Sequence, residues 1–322
     1  MRNLLRVVGI FLGIVFLLAL ASRATPPQAP AGKNLSWAFP AAVEKNEPPV
    51  PDGEEPRHLP ASAKAYTQAQ IDDLSNPPDW YPDEHGAVPD IVRSGAANKG
   101  FACGSCHLMS GHGHPESADL AGLPADYIIE QMADFKSGDR KDPARMNAIA
   151  QSTTDEDVRQ AAAYFAALKT APGVKVVEAD SVPVSYLGPG RQRFAAPGGA
   201  MEPIGNRIIE LPVDVTSART RDPHTQFIAY VPKGSLAKGE NLAKTGGGKT
   251  ISCETCHGDG LKGMGNIPRL AGVHPVVLAR QLYNFQTGAS NGASAQLMKT
   301  VVANFSDEDI LDLAAYVASQ NP

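Results

Sequence analysis

The stretch CGSCHLMSGHGH, residues 103–114, carries two cysteines, three histidines and a methionine in twelve positions, each a potential metal ligand. Its opening recurs once, as CETCH at 253–257, and the two stretches hold all four cysteines of the 322-residue chain. Cys103-Gly-Ser-Cys106-His107 and Cys253-Glu-Thr-Cys256-His257 are thus two copies of C-x-x-C-H, the pattern for covalent attachment of a c-type haem. Each thiol adds across one vinyl group, the two-residue gap matches the separation of the vinyls, and the adjacent histidine is left beneath the ring to coordinate iron. Paired C-x-x-C units also hold zinc, and C-x-x-C alone is a thioredoxin-like redox motif. Neither reading explains a histidine after both pairs. The same spacing argues against two structural disulfides, even in an oxidising compartment.

The motifs are 150 residues apart, and sliding the chain on itself by that offset exposes a repeat. Leu120-Ala121-Gly122 falls on Leu270-Ala271-Gly272, Gln131 on Gln281, Phe135 on Phe285 and Gly138 on Gly288. After a two-residue length difference, MNAIAQSTTDEDVRQAAAYFAALK from Met146 aligns with MKTVVANFSDEDILDLAAYVASQN from Met298. The economical account is two homologous haem domains in tandem, at 87–170 and 234–322. Each has a readable helical order. A helix is expected over GAANKGFA before the first cysteines and over LAKGENLAKTG before the second. LPADYIIEQMADF and HPVVLARQLYNF then repeat apolar residues at helical spacing. The last helix of each opens on Thr154 or Ser306 as N-cap, followed by an acidic first turn that suits the helix dipole. Val158, Ala161, Phe165 and Leu168 form its apolar stripe in one copy, and Ile310, Leu313, Ala314 and Val317 in the other. The DED runs are read as exposed helix starts, not as catalytic carboxylates.

C-x-x-C-H, the IPRLAG segment after it (267–272), and a methionine before SDEDI-x-x-LAAY resemble the class I fold of small bacterial cytochromes c. The resemblance covers both repeats, with motifs sharper in the second. It implies a mainly α fold: two tandem class I cytochrome c domains joined by a small irregular or β-containing insert, with a proline-rich N-terminal arm. It also implies two covalently attached haem c groups, held by Cys103, Cys106, Cys253 and Cys256. Iron would be ligated by His107 with Met146 and by His257 with Met298. Residue logic agrees, because Met146 and Met298 each precede the first aspartate of a DED run by nine residues. A core role remains open for both. Met132 reads as a core residue, and Met109 and Met264 as packing in the haem loops. His112 and His114 compete for the first iron but follow His107 too closely to reach the opposite face easily, and are read as exposed polar residues. His58, His85, His224 and His274 are isolated. The family's proline, whose carbonyl orients the proximal imidazole, is matched by Pro268; Ala118 stands at that place in the first repeat, with Pro115 nearby.

The first 24 residues have the layout of a secretory signal peptide: Arg2 and Arg6, an apolar run from Val7 to Ala21, then small residues. An uncleaved membrane anchor is the alternative, although the run is shorter than the roughly 20 residues that span a bilayer. Without residues 1–24 the chain has 26 basic against 34 acidic residues, a charge of −8. So acidic a chain has no electrostatic route to nucleic acid, and it weakly favours a partner with a basic patch. Residues 25–86 read as a proline-rich arm with a short helix at YTQAQIDDL, pinned to a haem domain by Trp37 and Trp80. Residues 171–233 suggest short strands at KVVEA, RIIELPVD and TQFIAYVP. This insert either braces the domains or forms a partner site. The expected function is a periplasmic relay of single electrons between a donor dehydrogenase or reductase and an acceptor cytochrome or oxidase. A variant is the electron-accepting subunit of an exported dehydrogenase. The rival from another class is a two-haem peroxidase, which needs a displaceable distal ligand. A two-haem enzyme oxidising thiosulfate through cysteine ligation lacks a fifth cysteine here.

Overall fold

The computed structural model describes residues 35–39, 55–96, 100–142 and 144–322. The apolar run at 7–21 and its cleavage sites lie outside the described residues. Among the described residues no helix is long and apolar enough to cross a membrane.

The arm is more structured than its composition suggests. Strands β1 (Arg57–His58) and β2 (Ala65–Tyr66) pair antiparallel, and α1 (Gln68–Asp72) is the helix expected in YTQAQIDDL. It starts on a capping box between Thr67 and Gln70. Leu59, Ile71, Trp80 and Tyr81 bury one another in a small core, with Tyr66 edge-on to Trp80 at 4.8 Å. The two tryptophans fasten differently. Trp37 packs against the core of the second repeat, whereas the Trp80 indole N–H donates to Thr220 O at 2.8 Å. Trp80 is therefore pinned to the insert and not to a haem domain, because a buried indole N–H requires an acceptor and the insert supplies one.

The first repeat comprises α2 (Asp90–Arg93), α3 (Gly104–His107), α4 (Ala125–Ser137), α5 (Met146–Ser152) and α6 (Asp155–Ala167). Helix α2 precedes the stretch GAANKGFA, where a helix is expected and which is only partly described. Gly95, at φ +72°, turns the chain so tightly that an added Cβ would sit 2.6 Å from Gly100 O, and residues 97–99 lie outside the described residues. Between the repeats run β3 (Val174–Glu178), β4 (Ser181–Pro183), β5 (Ser185–Leu187), β6 (Arg193–Ala195), β7 (Met201–Pro203), β8 (Ile209–Pro212), α7 (Val215–Arg219) and β9 (Phe227–Val231). The three anticipated strands form one sheet in the order β3-β9-β8, with β3 parallel and β8 antiparallel to β9. The pairs β4–β7 and β5–β6 add two small ladders. Ala229 and Val231 of β9 enter the core of the second repeat, and Val174 and Val176 of β3 pack against it.

The second repeat comprises α8 (Ser235–Thr245), α9 (Glu254–His257), α10 (Pro275–Thr287), α11 (Ala295–Val302) and α12 (Asp307–Ala318). Thr154 and Ser306 cap α6 and α12 through full capping boxes with Asp157 and Asp309, each worth about 1 kcal/mol. In α6 the expected stripe is buried at Val158, Ala161 and Phe165, while Leu168, the C-cap residue, is half-buried. In α12 burial is continuous from Ile310 to Ala318 instead of confined to one face. Three neighbours account for it: α8, α10 and β3 all pack on this helix. The α8 crossing needs Gly239, where an added Cβ would fall 2.0 Å from Asp312 O.

The two repeats meet through equivalent positions. Arg140 and Ser290 form an antiparallel bridge, Lys141 N–H donates to Ala289 O at 2.8 Å and Asn291 N–H to Asp139 O at 2.7 Å. These residues are related by the 150-residue offset, so the contact has local pseudo-twofold character. A buried ion pair joins another equivalent couple, Arg269 Nη2 to Asp119 Oδ2 at 2.7 Å. Arg280 adds a bond to Glu116 at 2.6 Å and one to Pro115 O at 2.8 Å.

Candidate haem sites

Each C-x-x-C-H is a single helical turn with its first cysteine at the N-cap, α3 after Cys103 and α9 after Cys253. The turn is closed by the N–H of His107 or His257 donating to Cys103 O or Cys253 O, both at 2.9 Å. The chain then reverses through a positive φ, at Leu108 (+63°) and at Gly258 (+76°). A non-glycine residue in that region is strained and is held by its surroundings. The reversal brings back a carbonyl eleven residues on. His107 Nδ1 bonds Ala118 O, and His257 Nδ1 bonds Pro268 O, each at 2.8 Å. A carbonyl only accepts, so Nδ1 carries the proton and Nε2 keeps its lone pair for a metal. The alanine at 118 leaves the distance unchanged, because the acceptor belongs to the backbone. Burial pushes both imidazoles below the ordinary histidine value, which keeps them neutral.

The thiols are equally informative. Burial pushes Cys103 up to about 12 and Cys253 to about 11. A thiol so hard to ionise is poorly suited to thiolate chemistry. All four cysteines are free, and among the described residues no three His, Cys, Asp or Glu side chains converge on a point that could hold a metal ion. The two pairs therefore do not build a shared zinc site.

A cavity of about 900 Å³ opens beside the first motif, lined by Cys103, Cys106, His107, Ile128, Met132, Met146 and Phe165 among others. Two thiols, an imidazole with a free Nε2, and mostly apolar walls fit a haem. Met146 is half-buried at the start of α5. In the second repeat Met298 of α11, Cys253 and Phe285 are partly buried against the same core, and His257 is buried.

Several residues sit elsewhere than the sequence suggested. Met132 is half-buried and lines the cavity instead of joining the core, because it shares the α4 face of Ile128, one turn away. Met109 is buried under Gly104, whereas Met264 is 56% exposed. His112 and His114 are half-buried and engaged with the backbone: His112 Nε2–H donates to Lys169 O at 3.2 Å, and His114 Nδ1 accepts from Glu116 N–H at 3.2 Å. His58 is exposed, His85 bonds Asp79 and Gly86, His224 bonds Glu84, and His274 is buried and hydrogen-bonded to Glu210.

Sequence reasoning passed over the polar groups between the repeats. Arg140 donates from Nη1 to Gln131 Oε1 at 2.6 Å and from Nη2 to Gln281 Oε1 at 2.7 Å, so one guanidinium joins both members of a repeat pair. Its charge opposes protonation of His107. Glu116 is pushed up to about 7 by burial, although Arg280 pulls it down. The Asp119–Arg269 partners share one repeat column, and opposite charges in that column were the available signal.

Residues 236–321 match the family model described as Cytochrome c. A cytochrome c-554(548) from Halomonas halodenitrificans is 37% identical over 79 residues, 24% of this chain and 95% of that protein. Cytochrome c4 from Pseudomonas aeruginosa is 25% identical over 228 residues, 68% of this chain and 84% of the relative. A thiosulfate dehydrogenase electron acceptor from Thiomonas intermedia is 25% identical over 225 residues, 68% of this chain and 78% of the relative. Among solved structures, the thiosulfate dehydrogenase TsdBA from Marichromatium purpuratum aligns at a TM-score of 0.50 with 27% identity, covering 71% of this chain. This chain spans 39% of the length of that one. Paired C-x-x-C-H turns in tandem helical repeats and these likenesses converge: the chain belongs to the cytochrome c family, as a dihaem c-type cytochrome with two covalently attached haem c groups.

Proposed function

We propose that the chain is a periplasmic electron carrier, not an enzyme acting on a small molecule, with domains at 87–170 and 234–322, a leader at 1–24, an arm at 25–86 and an insert at 171–233. Cys103 and Cys106 would hold the first haem, with His107 and Met146 ligating its iron; Cys253 and Cys256 would hold the second, with His257 and Met298 doing so. A haem so ligated supplies a one-electron iron couple with no open position for substrate. The protein sets orientation, potential and access. The observation that carries this reading is the bond from each histidine Nδ1 to a backbone carbonyl at 2.8 Å, which aims Nε2 in both repeats. Peroxide turnover with a reduced donor tests it. The expected rate is no higher than that of the donor alone, and appreciable turnover would make the protein a peroxidase. A second reading, the electron-accepting subunit of an exported dehydrogenase, is favoured by the relative named as a thiosulfate dehydrogenase electron acceptor.

The two sites are not electrically equal. Arg140 lies close enough to His107 for its charge to be felt there, and Ser290 holds its place in the second repeat. A fixed positive charge favours the reduced iron, so Arg140 raises the first potential, against the larger opposing influence of the Asp119 carboxylate. Arg140→Gln is expected to lower the first midpoint in a potentiometric titration and to leave the second nearly fixed. Two unmoved midpoints would remove Arg140 as a source of the asymmetry.

A further inference from the structure

We propose that the surface around Thr255 in the second repeat is the docking site for a redox protein with a basic face, and that the matching surface of the first repeat is closed by this chain's own insert and arm. The inference rests on the electron-carrier reading and adds where the partner sits and what it presents.

The repeat allows position-by-position comparison of two surfaces that began alike. Ser105, between the first pair of cysteines, is 1% exposed, while its equivalent Thr255 is exposed. Ala102 is buried and Ser252 is half-buried; Pro115 is buried and Gly265 is exposed. Phe101 and Ile251 are both exposed, and the four cysteines are half-buried alike. The cover over the first surface is visible. Arg221 of the insert donates from Nη1 to Ser105 O, and Ala102 N–H donates to Leu74 O of the arm at 2.9 Å. Arg280 of the second repeat holds Pro115 O and Glu116. Among the described residues the second surface takes no hydrogen bond from the insert or the arm; its bond across the repeats runs from Asn266 Nδ2 to Asp126 Oδ2 at 3.4 Å, and it exposes Ile251 at 51% and Met264 at 56%. Ile251 and Met264 flank the C-x-x-C-H turn in the chain on either side, and exposed apolar surface of this kind is what a docking partner covers.

Charge identifies the occupant. Glu254 stands where the first repeat has Gly104, and neither Glu254 nor Asp259 has an ion-pair partner among the described residues. Lys249 is tied to Asp309, and Lys262 is a cation without an ion pair among the described residues. The rim therefore carries an unbalanced negative charge, on a chain of formal charge −5. A second copy of so acidic a protein is repelled there, whereas a basic face is steered in. The insert already provides an intramolecular precedent, since it closes the first surface by directing an arginine at the carbonyl between the cysteines.

The test uses the full holoprotein and a strongly basic monohaem c-type cytochrome as probe, both oxidised so that no electron moves. Calorimetry at an ionic strength of about 10 mM, where screening is weak, should show binding. Glu254→Lys should weaken it about tenfold and Asp259→Lys about fivefold. Asp259 lies outside the cysteine loop and so remains informative if Glu254→Lys impairs haem attachment. Asp90→Lys makes the same charge change on α2 of the first repeat and should alter binding less than about twofold. Equal loss from all three variants, no binding by the parent protein, an amide footprint of the probe on 101–117 instead of 251–267, or self-association through 251–267 would each overturn the proposal. Reduction by hexaammineruthenium(II) separates the two levels. A parent protein that this small reductant leaves oxidised contradicts the electron-carrier reading, while normal reduction with binding indifferent to Glu254 and Asp259 contradicts only the docking site.

Discussion

Met298→Ala is expected to open the second iron to carbon monoxide and to lower its midpoint potential by on the order of 0.1–0.2 V, part of the ~0.8 V range that axial ligands command. Met146→Ala should do the same at the first iron. The effect is large because a thioether stabilises the reduced metal and fills the sixth position, and alanine does neither. Met132 sharpens the test at the first site, since it lines the same cavity as Met146. Retention of the parent spectrum and refusal of the gas by Met146→Ala, with loss of both in Met132→Ala, would transfer the ligand role to Met132.

Arg269→Met is expected to destabilise the holoprotein by about 3–5 kcal/mol, the usual cost of removing one partner from a buried ion pair. Arg269 and Asp119 are both nearly inaccessible, and the guanidinium also donates to Ala271 O at 2.6 Å. The substitution leaves the Asp119 carboxylate uncompensated between the repeats. Denaturant unfolding should then separate into two transitions as the repeats uncouple. Adding Asp119→Leu should recover most of the loss, because an apolar pair of similar volume often does as well as a buried salt bridge. A single-variant cost below about 1 kcal/mol would mean that the pair is solvated in solution.

How much of this was legible in the sequence depended on whether the determinant was local. The capping boxes of α6 and α12 are read from Thr154, Ser306 and the acidic residue three places on, and the structure forms both. KVVEA, RIIELPVD and TQFIAYVP became the three strands of one sheet, because alternation and β-branched residues mark strands wherever they fall. The left-handed turn at Gly95, where the helix expected over GAANKGFA would begin, is not revealed by composition, and residues 97–99 of that stretch lie outside the described residues. Complete burial of α12 was also illegible, since its polar-looking flank is covered by α8 and by the insert, elements distant in sequence. The sequence marks Trp80 as an anchor but not its partner, because the acceptor Thr220 lies 140 residues away. At the candidate sites the cysteines, the histidines and Pro268 followed from spacing and resemblance. Arg140 and Arg221 did not, because neither belongs to a motif and each acts only through the packing of domains and insert.

The central claim is that two covalently held irons each exchange one electron under histidine and methionine ligation. A potentiometric titration of the holoprotein followed by near-infrared spectroscopy, which distinguishes methionine from histidine on ferric iron, tests it directly. The expected result is two one-electron steps, each accompanied by loss of a methionine-type band. A histidine–histidine signature or an open high-spin iron at either step would contradict it.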